Sequence, residues 1–319
     1  MSAMSTGTIG LHVQERDAAA TLAAIERYEQ VGVPAAWLTT GGMGADGLTI
    51  LGAAAVRTQR ILLGTCIIPI LPRHPIVVVQ QTAAIASLAP GRFRLGLGPS
   101  HKPSVEGMFG IPFVKPLGHL REYLRIVKAA LNEGGADLDG DFYHAHGRMA
   151  AALAQPVPVM ASALRVNAFR LCGELADGAI TWICPLPYVR DVALPALRQG
   201  AASAGREAPP LVAHVPICVN EDAAAVRAAA RQQLAGYPRL PYYATMLRDA
   251  GYEEALRGEW SDAMIDEVVA HGDEAAVGAR LRQFIEAGAG EVIATPIPAG
   301  DDRRVSLDRA AALLAKLAG

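Results

Sequence analysis

Short runs of apolar and β-branched residues recur along the chain. Most are followed by a longer stretch in which Ala, Leu and charged residues return at helical spacing. Eight of the short runs read as strands, at 8–13, 35–39, 61–67, 93–97, 157–161, 179–184, 211–219 and 291–296. Helical segments follow at 18–31, 48–58, 77–88, 117–131, 165–176 and 189–204. Between the seventh and eighth strands the pattern gives a helical segment at 222–236, a Tyr-rich turn at Tyr242 and Tyr243, and helices around 263–269 and 274–287. The stretch of about 220–270 therefore reads as an insertion. Segment 137–147, DLDGDFYHAHG, carries the turn residues and aromatics of a loop or short hairpin.

The run at 61–67 is apolar almost throughout, the pattern of a parallel strand covered by helices on both faces. Eight strand-helix units fit an α/β fold closed as a (β/α)8 TIM barrel. A doubly wound open sheet ranks second, because the first strand runs into HVQERD without a GxGxxG turn. No fixed-period repeat, low-complexity tract or Pro/Ser-rich linker divides the 319 residues, which predicts a single domain over 1–319.

Composition narrows the function classes. Apolar residues make up 51% of the chain and mean hydropathy is +0.23, enough for a large core. A net charge of -2 provides no basic field for nucleic acid or an anionic membrane. Cys66, Cys172, Cys184 and Cys218 form no CxxC pair and sit in apolar runs, as reduced buried thiols do. The N-terminal segment lacks the features of a signal peptide, and each apolar stretch is broken by Gly, Pro or charge before it reaches bilayer length. A cytoplasmic location without membrane association is the expectation.

In such a barrel the chemistry sits at the carboxyl ends of the strands. Those ends carry His12 and Gln14, Thr39 to Gly42, Cys66 to Pro69, Gly98 to His101, Ser162 to Arg165, and Trp182 to Pro185. The scarcity of carboxylates counts against a glycosidase and against a carboxylate-rich metal centre, so no metal is expected. GxSxG is absent, which counts against a serine hydrolase. A bound organic cofactor acting on a small-molecule substrate is favoured instead.

Three segments occur in order: GTCIIPILPRHP at 64–75, LAPGRFRLGLGPSH at 88–101 and LRVNAFRLCGELADGAI at 164–180. Together they resemble luciferase-like oxidoreductases, and within that superfamily the branch that uses coenzyme F420, an 8-hydroxy-5-deazaflavin. The resemblance covers the first two thirds of the chain; beyond residue 211 it rests on the strand and helix pattern. It implies that a deazaflavin ring packs against a third-strand bulge at Thr65, Cys66 and Ile67, with a non-prolyl cis peptide between Cys66 and Ile67. Read without it, the same residues are an ordinary buried strand. The resemblance also implies cofactor contacts from Thr39, Thr40, Gly41, Gly98, Ser100, His101 and Trp182, and a homodimer. Flavin mononucleotide (FMN) is the alternative cofactor.

Ser162 and the backbone N–H groups of Ala163, Leu164 and Arg165 lead into a helix whose positive end suits a phosphate. Arg165 stands where many relatives carry glycine, and either adds a bidentate phosphate contact or caps the surface. His101 is the catalytic candidate, because imidazole titrates near neutrality and can donate the proton that accompanies hydride transfer. Its alternative is a loop histidine that hydrogen-bonds cofactor or backbone. His12 lines the pocket or is a core histidine bonded to backbone, and His74 reads as structural. Trp182, Tyr242 and Tyr243 are candidate walls of a substrate pocket together with His12. Asp301, Asp302, Arg303 and Arg304 read as a solvated turn.

Several deazaflavin branches carry Asp-His at the end of the second strand, where this chain has Thr40 and Gly41. Sugar-phosphate oxidation that depends on that histidine does not transfer. The expectation is an F420-dependent oxidoreductase that moves a hydride to or from a small organic molecule. The alternatives are an FMN-dependent monooxygenase and a non-catalytic binding protein that keeps the pocket, the latter suggested by Gly41.

Overall fold

The computed structural model describes residues 7–300 and 303–318. Its strands are β1 (Thr8–His12), β2 (Ala35–Leu38), β3 (Leu62–Thr65), β4 (Ile68–Pro69), β5 (Phe93–Gly98), β6 (Gly135–Asp139), β7 (His144–Arg148), β8 (Val159–Ser162), β9 (Ala179–Ile180), β10 (Leu211–Val219), β11 (Ala270–Gly272) and β12 (Glu291–Pro296). Parallel pairing runs β12-β1-β2-β3-β5-β8-β9-β10 and returns from β10 to β12, closing an eight-stranded (β/α)8 barrel with helices between the strands. β4 continues β3 beyond an interruption at Cys66 and Ile67 and pairs with β5. β11 adds to the outside of β10. β6 and β7 form the antiparallel hairpin expected near 137–147.

Alternate strand residues point inward, so the interior is built in layers. Lowest are Arg94 on β5 and Glu291 on β12, which form a buried ion pair. Above them Trp37 from β2 fills the middle, with the Arg94 guanidinium 4.2 Å from its ring centroid. The neighbours of Trp37 on both sides are glycine for a steric reason. A Cβ on Gly10 would come within 2.8 Å of the indole nitrogen, and one on Gly64 would overlap the six-membered ring. Ala35, Met160, Ile180, Val212 and Ile293 complete this apolar plug. The next inward residues along the strands are polar: His12, Thr39, Ser162, His214 and Thr295.

Helix starts follow the chemistry of their caps. Asp17, Asp46, Asp222, Ser261 and Asp273 each accept a backbone N–H in the first turn of the helix that follows. His74 caps Pro75–Leu88, its Nδ1 accepting from the Ile76 N–H at 3.3 Å while Nε2 lies 3.2 Å from the His144 carbonyl. Its role in the fold is structural, as read from the sequence.

The structure departs from the sequence pattern in several places, one being Arg303 and Arg304, which lie in helix Arg303–Ala318 and not in a turn. The run 179–184 is a strand only over Ala179–Ile180, because Ile183 takes φ +48 and turns the chain out of the sheet. Tyr242 and Tyr243 lie not in a turn but in the first turn of helix Pro241–Asp249, which Pro241 opens. Helix Lys102–Phe109 was not anticipated, since eight residues containing Pro103 and Gly107 carry little periodic signal. The three-residue β11 was too short to read. Asp301 and Asp302 lie outside the described residues.

Burial pushes the Glu291 carboxyl up despite the adjacent Arg94, so the ion pair is coupled to a costly site. Arg94→Met should leave Glu291 buried without its partner and lower the unfolding free energy by about 3–5 kcal/mol. Chemical denaturation of Arg94→Met beside the double variant with Glu291→Met checks this; the double variant should recover most of the loss.

Candidate active site

The carboxyl ends of the barrel strands open into a cleft of about 1700 Å³. That exceeds the few hundred to about 1,000 Å³ of a site for one small ligand, and accommodates a cofactor with a substrate beside it. Its floor is the polar layer above Trp37.

On one side lies the interruption of the third strand. The peptide between Cys66 and Ile67 is cis, and both residues line the cleft. The Thr39 hydroxyl donates to the Cys66 carbonyl oxygen at 2.9 Å, tying β2 to this bulge. Thr65 is behind the wall: its hydroxyl accepts from the Gly96 N–H at 2.7 Å and donates to the Gly96 carbonyl at 2.9 Å. Gly98 is also off the lining. A Cβ there would strike Ser162 Oγ and come within 3.0 Å of the Ile67 side chain, so this glycine makes room for both. Thr40 lines the cleft, and its hydroxyl accepts from the Gly47 N–H at 2.9 Å. A Cβ on Gly41 would meet nothing within 4 Å, leaving open space for a ligand.

Two strands further round, β8 delivers Ser162, Ala163, Leu164 and Arg165 to the cleft and leads into helix Val166–Leu175. Arg165 is its N-cap and no side chain caps the first turn, so its N–H groups remain available to an anion. The Arg165 guanidinium pairs with Asp249 at 3.0 Å and keeps a buried Nε without a partner among the described residues. Tyr188 braces the segment by donating to the Leu164 carbonyl at 3.1 Å.

The third side is aromatic. Tyr237 and Tyr243 come from the insertion and meet edge to face at 4.9 Å between centroids. His101 sits against both, 6.1 Å from Tyr237 and 5.6 Å from Tyr243, and Trp182 is 5.9 Å from Tyr237. Tyr243 is buried, while Tyr242 stands on the exposed rim. Ser100, at φ +65, turns the chain so that His101 follows at the mouth; His101 starts helix Lys102–Phe109 without capping it. Burial lowers its pKa below the usual histidine range, so the ring is neutral near pH 7.

Of the residues singled out in the sequence, Thr39, Thr40, Gly41, Cys66, Ile67, Ser100, His101, Ser162 to Arg165, Trp182, His12, Tyr242 and Tyr243 come together on this cleft. Sequence reading missed His214, Tyr237 and the Arg73–Asp46 pair. His214 was detectable as the polar interruption of LVAHVPICV, an otherwise apolar buried strand. Tyr237 left no comparable signal, since its position depends on how the insertion folds back.

The family model for luciferase-like monooxygenases matches residues 1–291, and the chain belongs to that family. Among characterised relatives it is 36% identical over 179 residues to an F420-dependent glucose-6-phosphate dehydrogenase of Beutenbergia cavernae, covering 53% of this chain and 52% of that one. The chain thus spans about half the length of that relative. It is 24% identical over 303 residues to a 5,10-methylenetetrahydromethanopterin reductase of Methanolobus tindarius, covering 88% and 91%. In fold it is similar to an F420-dependent secondary alcohol dehydrogenase solved with an F420-acetone adduct, with a TM-score of 0.81, 18% identity and coverage of 97% and 98%.

Burial moves the pKa of His12 from 6.5 down to about 4. Between those values the unfolded chain binds a proton that the native chain refuses, so stability falls as pH falls through that window. At about 1.4 kcal/mol per unit the contribution is roughly 3 kcal/mol. Unfolding free energies measured from pH 7 to pH 4 should fall less steeply in His12→Phe than in the wild type; equal slopes would contradict the assignment.

Proposed function

We propose that the chain is an F420-dependent oxidoreductase that moves a hydride to or from a small organic substrate. The observation that carries this reading is one cleft that joins the bulge at Cys66 and Ile67 to an uncapped helix N-terminus flanked by Arg165. The likeness to relatives named as F420-dependent enzymes supports it.

The residues fit the cofactor. The open space at Gly41 and the bulge suit a flat ring, and the first turn of Val166–Leu175 and the Nε of Arg165, neither with a side-chain partner among the described residues, suit the phosphate of its side chain. When bound, F420 supplies a two-electron hydride carrier at its ring carbon. The chain supplies the rest. Thr39 holds the bulge, Ser162 and Arg165 anchor the anion, and the wall of Tyr237, Tyr243 and Trp182 keeps water from the reacting face.

His101 exchanges the proton. With its pKa lowered by burial it is neutral at rest and accepts a proton from a substrate being oxidised; in the other direction its protonated form gives that proton up. Oxidation therefore falls as pH drops through the lowered His101 pKa, and reduction gains over the same range. The homodimer, implied by the family resemblance, and the cytoplasmic location, suggested by four cysteines in apolar runs without a CxxC pair, remain part of this reading.

Side-by-side fluorescence titration with F420 and FMN tests the cofactor. Micromolar or tighter binding of F420 in preference to FMN is expected. A preference for FMN would move the case to a monooxygenase. His101→Asn should lower turnover by about 10²–10⁴ while F420 affinity stays unchanged; unchanged turnover would remove His101 from the proton step and favour a non-catalytic binder.

A further inference from the structure

The proton step above leaves the imidazole pair on the cleft floor without a role. His12 from β1 and His214 from β10 meet edge to face with centroids 5.3 Å apart. His214 is fixed on two sides: its Nε2 is hydrogen-bonded to Thr295 Oγ1 at 2.5 Å, and Trp182 lies against its ring at 4.3 Å. His12 is not. Its Nδ1 is buried and has no partner among the described residues, although the side chain lines the cleft. A buried polar atom left unpaired costs about 1–3 kcal/mol, which a ligand atom placed there would recover. Burial holds both rings neutral, so each offers one N–H donor and one nitrogen acceptor rather than a cation.

The charges around the cleft agree with this. Arg165 is engaged by Asp249, Arg73 by Asp46 and Lys102 by Glu106. Lys115, at the start of helix Pro116–Glu133, and Asp141 also line the cleft and carry opposite charges. The wall beside the imidazoles is aromatic, Trp182 against His214 and Tyr237 against Trp182, and Phe109 and Phe113 also line the cleft. A cleft of this lining favours an apolar, uncharged molecule with one polar oxygen over a second anion.

We propose that His12, positioned by His214 and Thr295, binds the oxygen of an uncharged apolar carbonyl compound or its alcohol, and that this is the substrate class. The proposal rests on the oxidoreductase reading above. With F420 bound as the two-electron hydride source, reduction would add that hydride to the carbonyl carbon and the proton held at His101 to the oxygen, giving the alcohol. Oxidation runs the same exchange backwards. His12 bonds to the oxygen in both directions.

Calorimetric titration of the F420-loaded protein with cyclohexanone, a neutral ketone, and with glucose 6-phosphate, an anion, tests it. Saturable binding of cyclohexanone and none of the sugar phosphate is expected. His12→Phe should weaken ketone binding by about tenfold or more, while His12→Gln, which keeps a donor, restores most of it. F420 affinity should change by less than about twofold in either variant. The proposal is overturned if cyclohexanone does not bind, if the sugar phosphate binds in its place, or if His12→Phe leaves ketone binding unchanged. It is equally overturned if ketone and F420 affinity fall together, which would assign His12 to the cofactor. Failure of the wild type to bind F420 is a separate result that removes the cofactor reading; the ketone titration on the apoprotein then decides the His12 site alone.

Discussion

The interior of a closed eight-stranded barrel must be filled by its own side chains, and in this molecule the largest of the fully buried ones is Trp37. Its indole fits because Gly10 and Gly64 on the neighbouring strands present no Cβ, and the Arg94–Glu291 pair closes the layer beneath it. With the middle of the barrel sealed, the inward positions one layer higher are free to be polar. They hold His12, Thr39, Ser162, His214 and Thr295, and these form the floor of the cleft. A smaller residue at position 37 would deprive that floor of its support.

The site is thus a product of strand alternation combined with local breaks in it. The bulge at Cys66 and Ile67 and the left-handed residues Ser100 and Ile183 all fall at the carboxyl ends of barrel strands. Each ends regular pairing where a side chain must reach the cleft: Ile67 at the third strand, His101 after the fourth and Trp182 beside the sixth. Left-handed non-glycine residues such as Ser100 and Ile183 gather at functional sites because the surrounding fold holds them in place.

The barrel was legible in the sequence because eight buried parallel strands leave unbroken apolar runs such as 61–67 and 211–219. The cleft was legible to the extent that strand ends define it, which gave His12, His101, Arg165 and Trp182. Its other half depends on long-range packing. Tyr237 reaches His101 only because the segment after β10 folds back over the barrel, and no local pattern in GYPRLPYY encodes that path. Thr65 and Gly98 show the opposite error. Adjacent in sequence to lining residues, they face the strand ladder and its packing rather than the cleft.

The central claim is that the bulged third strand and the Arg165 helix start hold the two ends of one cofactor. A crystal structure of the protein with F420 tests it most directly. The account predicts the ring against Cys66 and Ile67 and the phosphate within hydrogen-bond distance of the first turn of Val166–Leu175, with Arg165 in contact. Density for the ring at the exposed aromatic rim, or for the phosphate away from that helix, would contradict it.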